Sequence, residues 1–218
     1  MTLQYDLEIL GTAVFAISGV FAVARRGLDV IGALALGIVT ALGGGTVRDV
    51  ILAARPFWTV DTNYLWAATA GALLAFLLGG LIRSTQRAVL YADGLGAALF
   101  AVAAVDKTLS MHFPESVAVM MGILTGIGGG LIRDVLAGRP TLLMSRDIYA
   151  TPILLGCVTL VGLRHFAPGM PYSAAIAIAV IFGIRVFAIY RQVKMPLWLT
   201  HEPGPRVSPS KPPLDQGE

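Results

Sequence analysis

The chain has 218 residues, of which 56% are apolar and 13% charged, against roughly a quarter charged in an ordinary soluble domain. That balance excludes a soluble fold, which would lack the polar surface to cover itself. The formal charge of +3 comes from basic residues scattered over separated loops, a pattern that argues against nucleic acid and for membrane topology.

In chain order, long stretches almost free of charge run at 10–24, 30–47, 65–82, 95–105, 117–132, 153–163 and 174–184. Extended a few residues into their flanks, most approach the ~20 residues that carry a helix across a ~30 Å hydrocarbon core. They show none of the alternation of a transmembrane β-barrel. The expected fold is therefore an all-α polytopic membrane protein with seven transmembrane helices. No basic residue precedes the first apolar run in Met1–Glu8, so the first span lacks the positive flank of a signal peptide and is expected to be retained. The lone cysteine, Cys157, excludes an internal disulfide and a cysteine-based metal cluster, and His112 and His165 have no ligand partners at metal spacing. No cofactor is expected.

Seven alternating spans put Arg25, Arg26, Arg83, Arg87, Arg139, Arg146, Arg191, Lys194, Arg206 and Lys211 on one face, against Arg55, Lys107 and Arg164 on the other. The positive-inside rule makes the crowded face cytoplasmic, with the C-terminus inside and the N-terminus outside. Trp58, Tyr64, Trp66, Tyr91, Tyr149 and Tyr172 fall near span ends, as headgroup-level rings do. Arg185 is read as snorkelling from the cytoplasmic end of span seven.

At an offset of 85 the chain matches itself. Thr40-Ala-Leu-Gly43-Gly44-Gly45-Thr-Val-Arg48-Asp49-Val50 lies over Thr125-Gly-Ile-Gly128-Gly129-Gly130-Leu-Ile-Arg133-Asp134-Val135, with seven of eleven positions identical. Arg55-Pro56 meets Arg139-Pro140 after a one-residue slip, and Tyr64 meets Tyr149 at the offset itself. Three spans per copy force the second copy to enter from the opposite side, giving an inverted repeat. The expected division is 1–86 for the first repeat, 87–168 for the second, 169–195 for the seventh span, and a disordered, proline-rich cytoplasmic tail at 196–218.

Three glycines inside an apolar span cost a helix roughly 1 kcal/mol each relative to alanine. Two such triplets at matching places, Gly43, Gly44, Gly45 and Gly128, Gly129, Gly130, predict two helices kinked or unwound where they line a pathway, although tight helix packing is the alternative. Arg48, Asp49, Arg133 and Asp134 are expected to face the interior, paired or hydrated, with helix-end charges snorkelling to the interface as the alternative. Neighbours on a helix point about 100° apart, so each Arg need not pair with the Asp beside it, and pairing across the repeats is open. Thr40, Thr125 and Ser18 could ligate an ion or bond back to their own helices. Asp93 could attract cations at a mouth, or simply favour a helix N-terminus.

The doubled Gly-Gly-Gly-x-x-Arg-Asp motif, in two three-span halves plus a seventh span, resembles the prokaryotic trimeric intracellular cation (TRIC) channels, a family also catalogued as glycine transporters. The resemblance covers about residues 5 to 192. It implies a homotrimer in the inner (plasma) membrane, among bilayer lipids, with a pore in each protomer that passes monovalent cations, chiefly potassium. It also implies that the two glycine triplets kink spans two and five around that pore, with Arg48, Asp49, Arg133 and Asp134 near it. Animal relatives carry lysine variants linked to phosphoinositide binding where Gly130-Leu-Ile-Arg133 stands here, so the resemblance does not extend to that feature. The residues alone leave a secondary transporter of a small zwitterion such as glycine open, because inverted repeats also serve alternating access. No enzymatic arrangement stands out.

Overall fold

The computed structural model describes residues 3–24, 26–27, 29–79 and 85–193. The tail expected at 196–218 lies outside them, as do Arg25, Arg83 and Lys194 of the charge count. The regular elements described are all helical: α1 Leu3–Val23, α2 Val30–Ile51, the short α3 Phe57–Val60, α4 Asn63–Leu78, α5 Thr85–Ser110, α6 Glu115–Leu136, a 3-10 turn at Leu142–Met144, α7 Ala150–Phe166 and α8 Ser173–Arg191.

Five of these, α1, α2, α5, α6 and α8, are long and apolar enough to cross a membrane, while α4 and α7 are apolar but have 16 and 17 residues. At 1.5 Å per residue those two reach about 24–26 Å, short of a ~30 Å hydrocarbon core. The protein is a multi-pass helical membrane protein. Its exposed apolar side chains, among them Ile31, Val50, Trp66, Met120 and Phe187, suit lipid contact.

Local chemistry sets the helix limits. Asp29 accepts the Gly32 amide at 2.8 Å and starts α2. α2 and α6 end identically: the Ala54 amide bonds back to the Asp49 carbonyl and the Arg139 amide to the Asp134 carbonyl, both at 2.8 Å. Ala53 and Gly138 sit between them at φ +54°, the left-handed turn of a Schellman cap.

The core is a central pair. α1 and α5 pack on each other, α1 also meets α2 and α4, and α5 also meets α6, α7 and α8. A methyl group at Gly11 would strike the Phe100 ring at 2.9 Å, and one at Gly96 would strike Phe15 at 2.8 Å. The two rings themselves stack at 5.5 Å between centroids. Residue numbers rise along one helix as they fall along the other, the pattern of an antiparallel crossing.

α2 and α6 meet through the glycine triplets. A Cβ at Gly44 would lie 2.5 Å from the Thr125 carbonyl oxygen, and one at Gly129 2.6 Å from that of Thr40. Helical structure continues through both triplets, so the expected unwinding is absent. The glycines bring two backbones together, and the energy they withhold from the helix is returned as close interhelical contact.

Candidate functional site

The four motif charges are buried to 2% exposure or less, and each Arg anchors a cluster at one end of the bundle. In the first cluster Arg48 Nη1 donates to Glu8 Oε1 at 3.0 Å and its Nε to Asp49 Oδ1 at 2.8 Å. Tyr64 donates its hydroxyl to Glu8 Oε2 at 2.9 Å. Lys107, reaching across from α5, donates to Asp49 Oδ1 at 2.8 Å.

The second cluster repeats this geometry 85 residues on. Arg133 Nη1 donates to Asp93 Oδ1 at 2.6 Å and its Nε to Asp134 Oδ1 at 2.9 Å. Arg133 Nη1 also reaches Ser18 Oγ at 3.1 Å. Tyr149 abuts the same carboxylate beside Gly130, and its hydroxyl has no hydrogen-bond partner.

Each motif Asp has a second task. Asp49 Oδ2 accepts the Phe57 amide at 2.8 Å and Asp134 Oδ2 the Leu142 amide at 3.1 Å. The carboxylate thus caps the turn that follows its own helix. Phe57 and Leu142 stand at the offset of 85, whereas Arg55-Pro56 and Arg139-Pro140 are not equivalent: the caps of the following turns are Pro56 and Thr141.

Burying a carboxylate or guanidinium unpaired is prohibitive, and removing one partner of a buried pair costs about 3–5 kcal/mol. These clusters hold their charges by balance. The first carries Glu8 and Asp49 against Arg48 and Lys107, and the second Asp93 and Asp134 against Arg133 and the neighbouring Arg185. Ser18 lies ten residues after Glu8 on α1, so the two arginines are separated along that helix by about 15 Å. Between them lie Phe15 and Phe100, each 1% exposed, and the packed glycines.

Several expectations change. Each Arg pairs with the Asp beside it, because the long Arg side chain reaches round the 100° that separates them. The main ion pairs, Glu8–Arg48 and Asp93–Arg133, each join residues of one copy of the sequence repeat, while within the two clusters Lys107–Asp49 and Arg133–Ser18 join one copy to the other. Asp93 is not at a helix N-terminus: it lies eight residues into α5 and is fully buried. Thr40 and Thr125 bond back to the Leu36 and Met121 carbonyls at 2.6 Å. Ser18 bonds back to Phe15 at 2.9 Å while also accepting from Arg133. Tyr64 and Tyr149 are buried at 5% and 3% exposure and are not headgroup anchors, whereas Trp66 and Tyr172 are exposed.

Arg185 does not snorkel. It is 1% exposed, donates Nη1 to the Ile148 carbonyl at 2.9 Å, and lies 4.8 Å over the Tyr149 ring. Glu8 and Lys107 were also missed as site residues. Glu8 was legible, for it stands 85 residues before Asp93, but a Glu over an Asp is invisible to a match by identity. Beyond the end of α6, Arg139 reaches the Ala22 carbonyl at 3.2 Å, and partial burial pulls its guanidinium pKa below the usual value.

Among the described residues no group of three His, Cys, Asp or Glu is placed to hold a metal ion.

Comparison with known proteins places the chain among membrane proteins of the same fold. A family model described as glycine transporter matches residues 5–80 and again 90–165. The inner membrane protein YadS of Escherichia coli K12 is 37% identical over 210 residues, covering 93% of this chain and 99% of that protein. A UPF0126 membrane protein of Vibrio cholerae is 39% identical over 183 residues, 81% of this chain and 73% of that one. The TRIC trimeric intracellular cation channel orthologue of Rhodobacter sphaeroides superposes with a TM-score of 0.85 at 30% identity, over 88% of this chain and 100% of that one. A second structure, of a prokaryotic TRIC channel in 0.5 M KCl, gives 0.81 at 25% identity over 87% and 97%. With its fold, its doubled motif and its relatives in agreement, the chain belongs to the glycine transporter family of membrane proteins, which in structure is the family of the TRIC channels.

Proposed function

We propose that this protein is a potassium-permeable channel for monovalent cations, without enzymatic activity, assembled as a homotrimer with one pathway inside each protomer. The observation that supports it most is the pair of matched ionic clusters, one near each end of a bundle whose fold is that of proteins described as cation channels. In this reading α1, α2 and α4 form one inverted repeat, α5, α6 and α7 the other, and α8 is the seventh span. Residues 1–86 and 87–168 are the two halves. The N-terminus faces outward, so the Glu8–Arg48 cluster lies near the outer end and the Asp93–Arg133 cluster near the cytoplasmic end.

The clusters account for both selectivity and closure. Two carboxylates at each end offer oxygen ligands to a cation, and the arginines paired with them balance their charge. Between the ends, the stacked Phe15 and Phe100 form an apolar constriction of the kind that stops ions by excluding water. Gly43, Gly44, Gly45 and Gly128, Gly129, Gly130 serve the pathway by letting α2 and α6 approach and shift against one another. Thr40 and Thr125, whose carbonyls face the opposing glycines, line the same seam.

The family description favours a second reading, a transporter of glycine or a similar zwitterion, whose two ends would open in turn. Proteoliposomes separate the two. The channel predicts rapid, non-saturating potassium flux that ignores external glycine. Saturable uptake of labelled glycine with no uncoupled potassium flux would replace the channel by the transporter.

A further inference from the structure

The two clusters match in charge and geometry but not in how completely they are satisfied. In the outer cluster one buried polar atom, Arg48 Nη2, lacks a partner. Around the inner cluster there are five: Asp93 Oδ2, Arg133 Nη2, the Tyr149 hydroxyl, and Arg185 Nε and Nη2. The outer cluster is completed by Lys107, whose ammonium bonds Asp49 directly. The inner one is completed by Arg185, which supplies the matching charge from α8 but hydrogen-bonds no carboxylate. Its single hydrogen bond goes to a backbone carbonyl, and the rest of its hold is the Tyr149 ring face.

Arg185 also has open space beside it. A cavity of about 440 Å³ lies between the start of α5 and the end of α8, lined among others by Arg87, Tyr91, Asp147, Arg185 and Tyr190. The Arg185 side chain therefore stands between this cavity and the unsatisfied atoms of the Asp93 cluster. Asp147, on the cavity wall, offers the guanidinium a carboxylate there. Gly94 lies against the Arg185 stem, where a Cβ would meet Arg185 Cβ at 3.5 Å, so the pivot is not crowded.

We propose that Arg185 is the latch of the cytoplasmic end: its side chain separates the cavity from the Asp93–Arg133 cluster, and its withdrawal toward Asp147 lets water and the permeating ion reach Asp93. The donors and acceptor left without partners in the closed form, Arg133 Nη2, the Tyr149 hydroxyl and Asp93 Oδ2, are the groups that such water would satisfy. Withdrawal also leaves Asp93 and Asp134 facing Arg133 alone. The cluster then carries net negative charge and attracts cations. This inference rests on the channel reading for the ion but not for the water.

Two measurements test it on the full-length trimer. In planar bilayers with potassium chloride, Arg185→Gln raises open probability at least threefold over the wild type, Arg185→Lys falls between them, and Arg191→Gln, at the exposed end of α8, changes nothing. In a Cys157→Ala background, a cysteine at Ser18 is shielded from a cationic thiosulfonate added on the cytoplasmic side. Adding Arg185→Gln, or Tyr149→Leu to remove the ring beneath the guanidinium, speeds its modification at least tenfold. Should the Gln variant not assemble, the Lys variant carries the same test at smaller amplitude. A silent wild-type bilayer together with accelerated labelling would remove the channel and keep the latch. Labelling and current that both stay at wild-type levels in folded variants would overturn it.

Discussion

At Gly44 two effects of opposite sign compete. Alanine in a helix gains about 1 kcal/mol over glycine, but its Cβ would stand 2.5 Å from the Thr125 carbonyl oxygen, and forced overpacking costs about 1–3 kcal/mol. The obstacle is backbone and cannot swing aside, so the clash wins. Gly44→Ala and its counterpart Gly129→Ala are expected to lower the thermal unfolding midpoint in detergent, while Gly183→Ala on α8, with nothing within 4 Å, leaves it unchanged or raises it. A rise at Gly44 would mean that α2 and α6 are not held at that spacing. Glu8→Gln is expected to be harsher. It strips Arg48 of an ionic partner at no exposed surface, a loss of about 3–5 kcal/mol, and is checked by the same melt. What could be read of these residues in advance was uneven. The motif charges announced themselves because an ion inside an apolar span must be held by something. Arg185 did not: it has no counterpart in the repeat, and its burial depends on Ile148 and Tyr149, some 36 residues away, through a packing that no periodicity encodes.

At the scale of elements, the 85-residue offset carried most of the architecture, since the matched Gly and Arg-Asp positions dictate where α2 and α6 meet and end. It failed where equivalence is geometric. The two Arg-Pro pairs look equivalent by letters, yet the backbone sets Ala54 against Arg139 through identical caps. Those caps yield a test. Ala53 and Gly138 share φ +54°, a left-handed conformation that penalises any Cβ by about 1–2 kcal/mol. Ala53→Gly is therefore expected to stabilise the protein and Gly138→Ala to destabilise it by about 1 kcal/mol, read as shifts of opposite sign in the unfolding midpoint. Shifts of the same sign would show that the two turns are not alike. The glycine triplets were misread in one respect. Their helical cost is real, but unwinding would have left backbone groups unpaired in a low-dielectric interior, and close packing of α2 on α6 avoids that.

For the whole molecule, the charge asymmetry of the loops predicts orientation. In a Cys157→Ala background, a single cysteine at Thr62 is expected to react with an impermeant maleimide added to intact cells, and one at Ser145 only after the membrane is opened. The reverse pattern would invert the topology and exchange the outer and inner clusters. The reading of two closed ionic ends around an aromatic constriction stands or falls on whether cations pass. The most direct measurement is the reversal potential of single-channel current from the purified trimer in a planar bilayer under an asymmetric potassium chloride gradient, with Asp49→Asn and Asp134→Asn variants alongside. Discrete steps that reverse near the potassium equilibrium potential are expected, with the reversal shifted toward zero when either carboxylate is neutralised. Reversal near the chloride potential, or steps whose reversal ignores both substitutions, would contradict that reading.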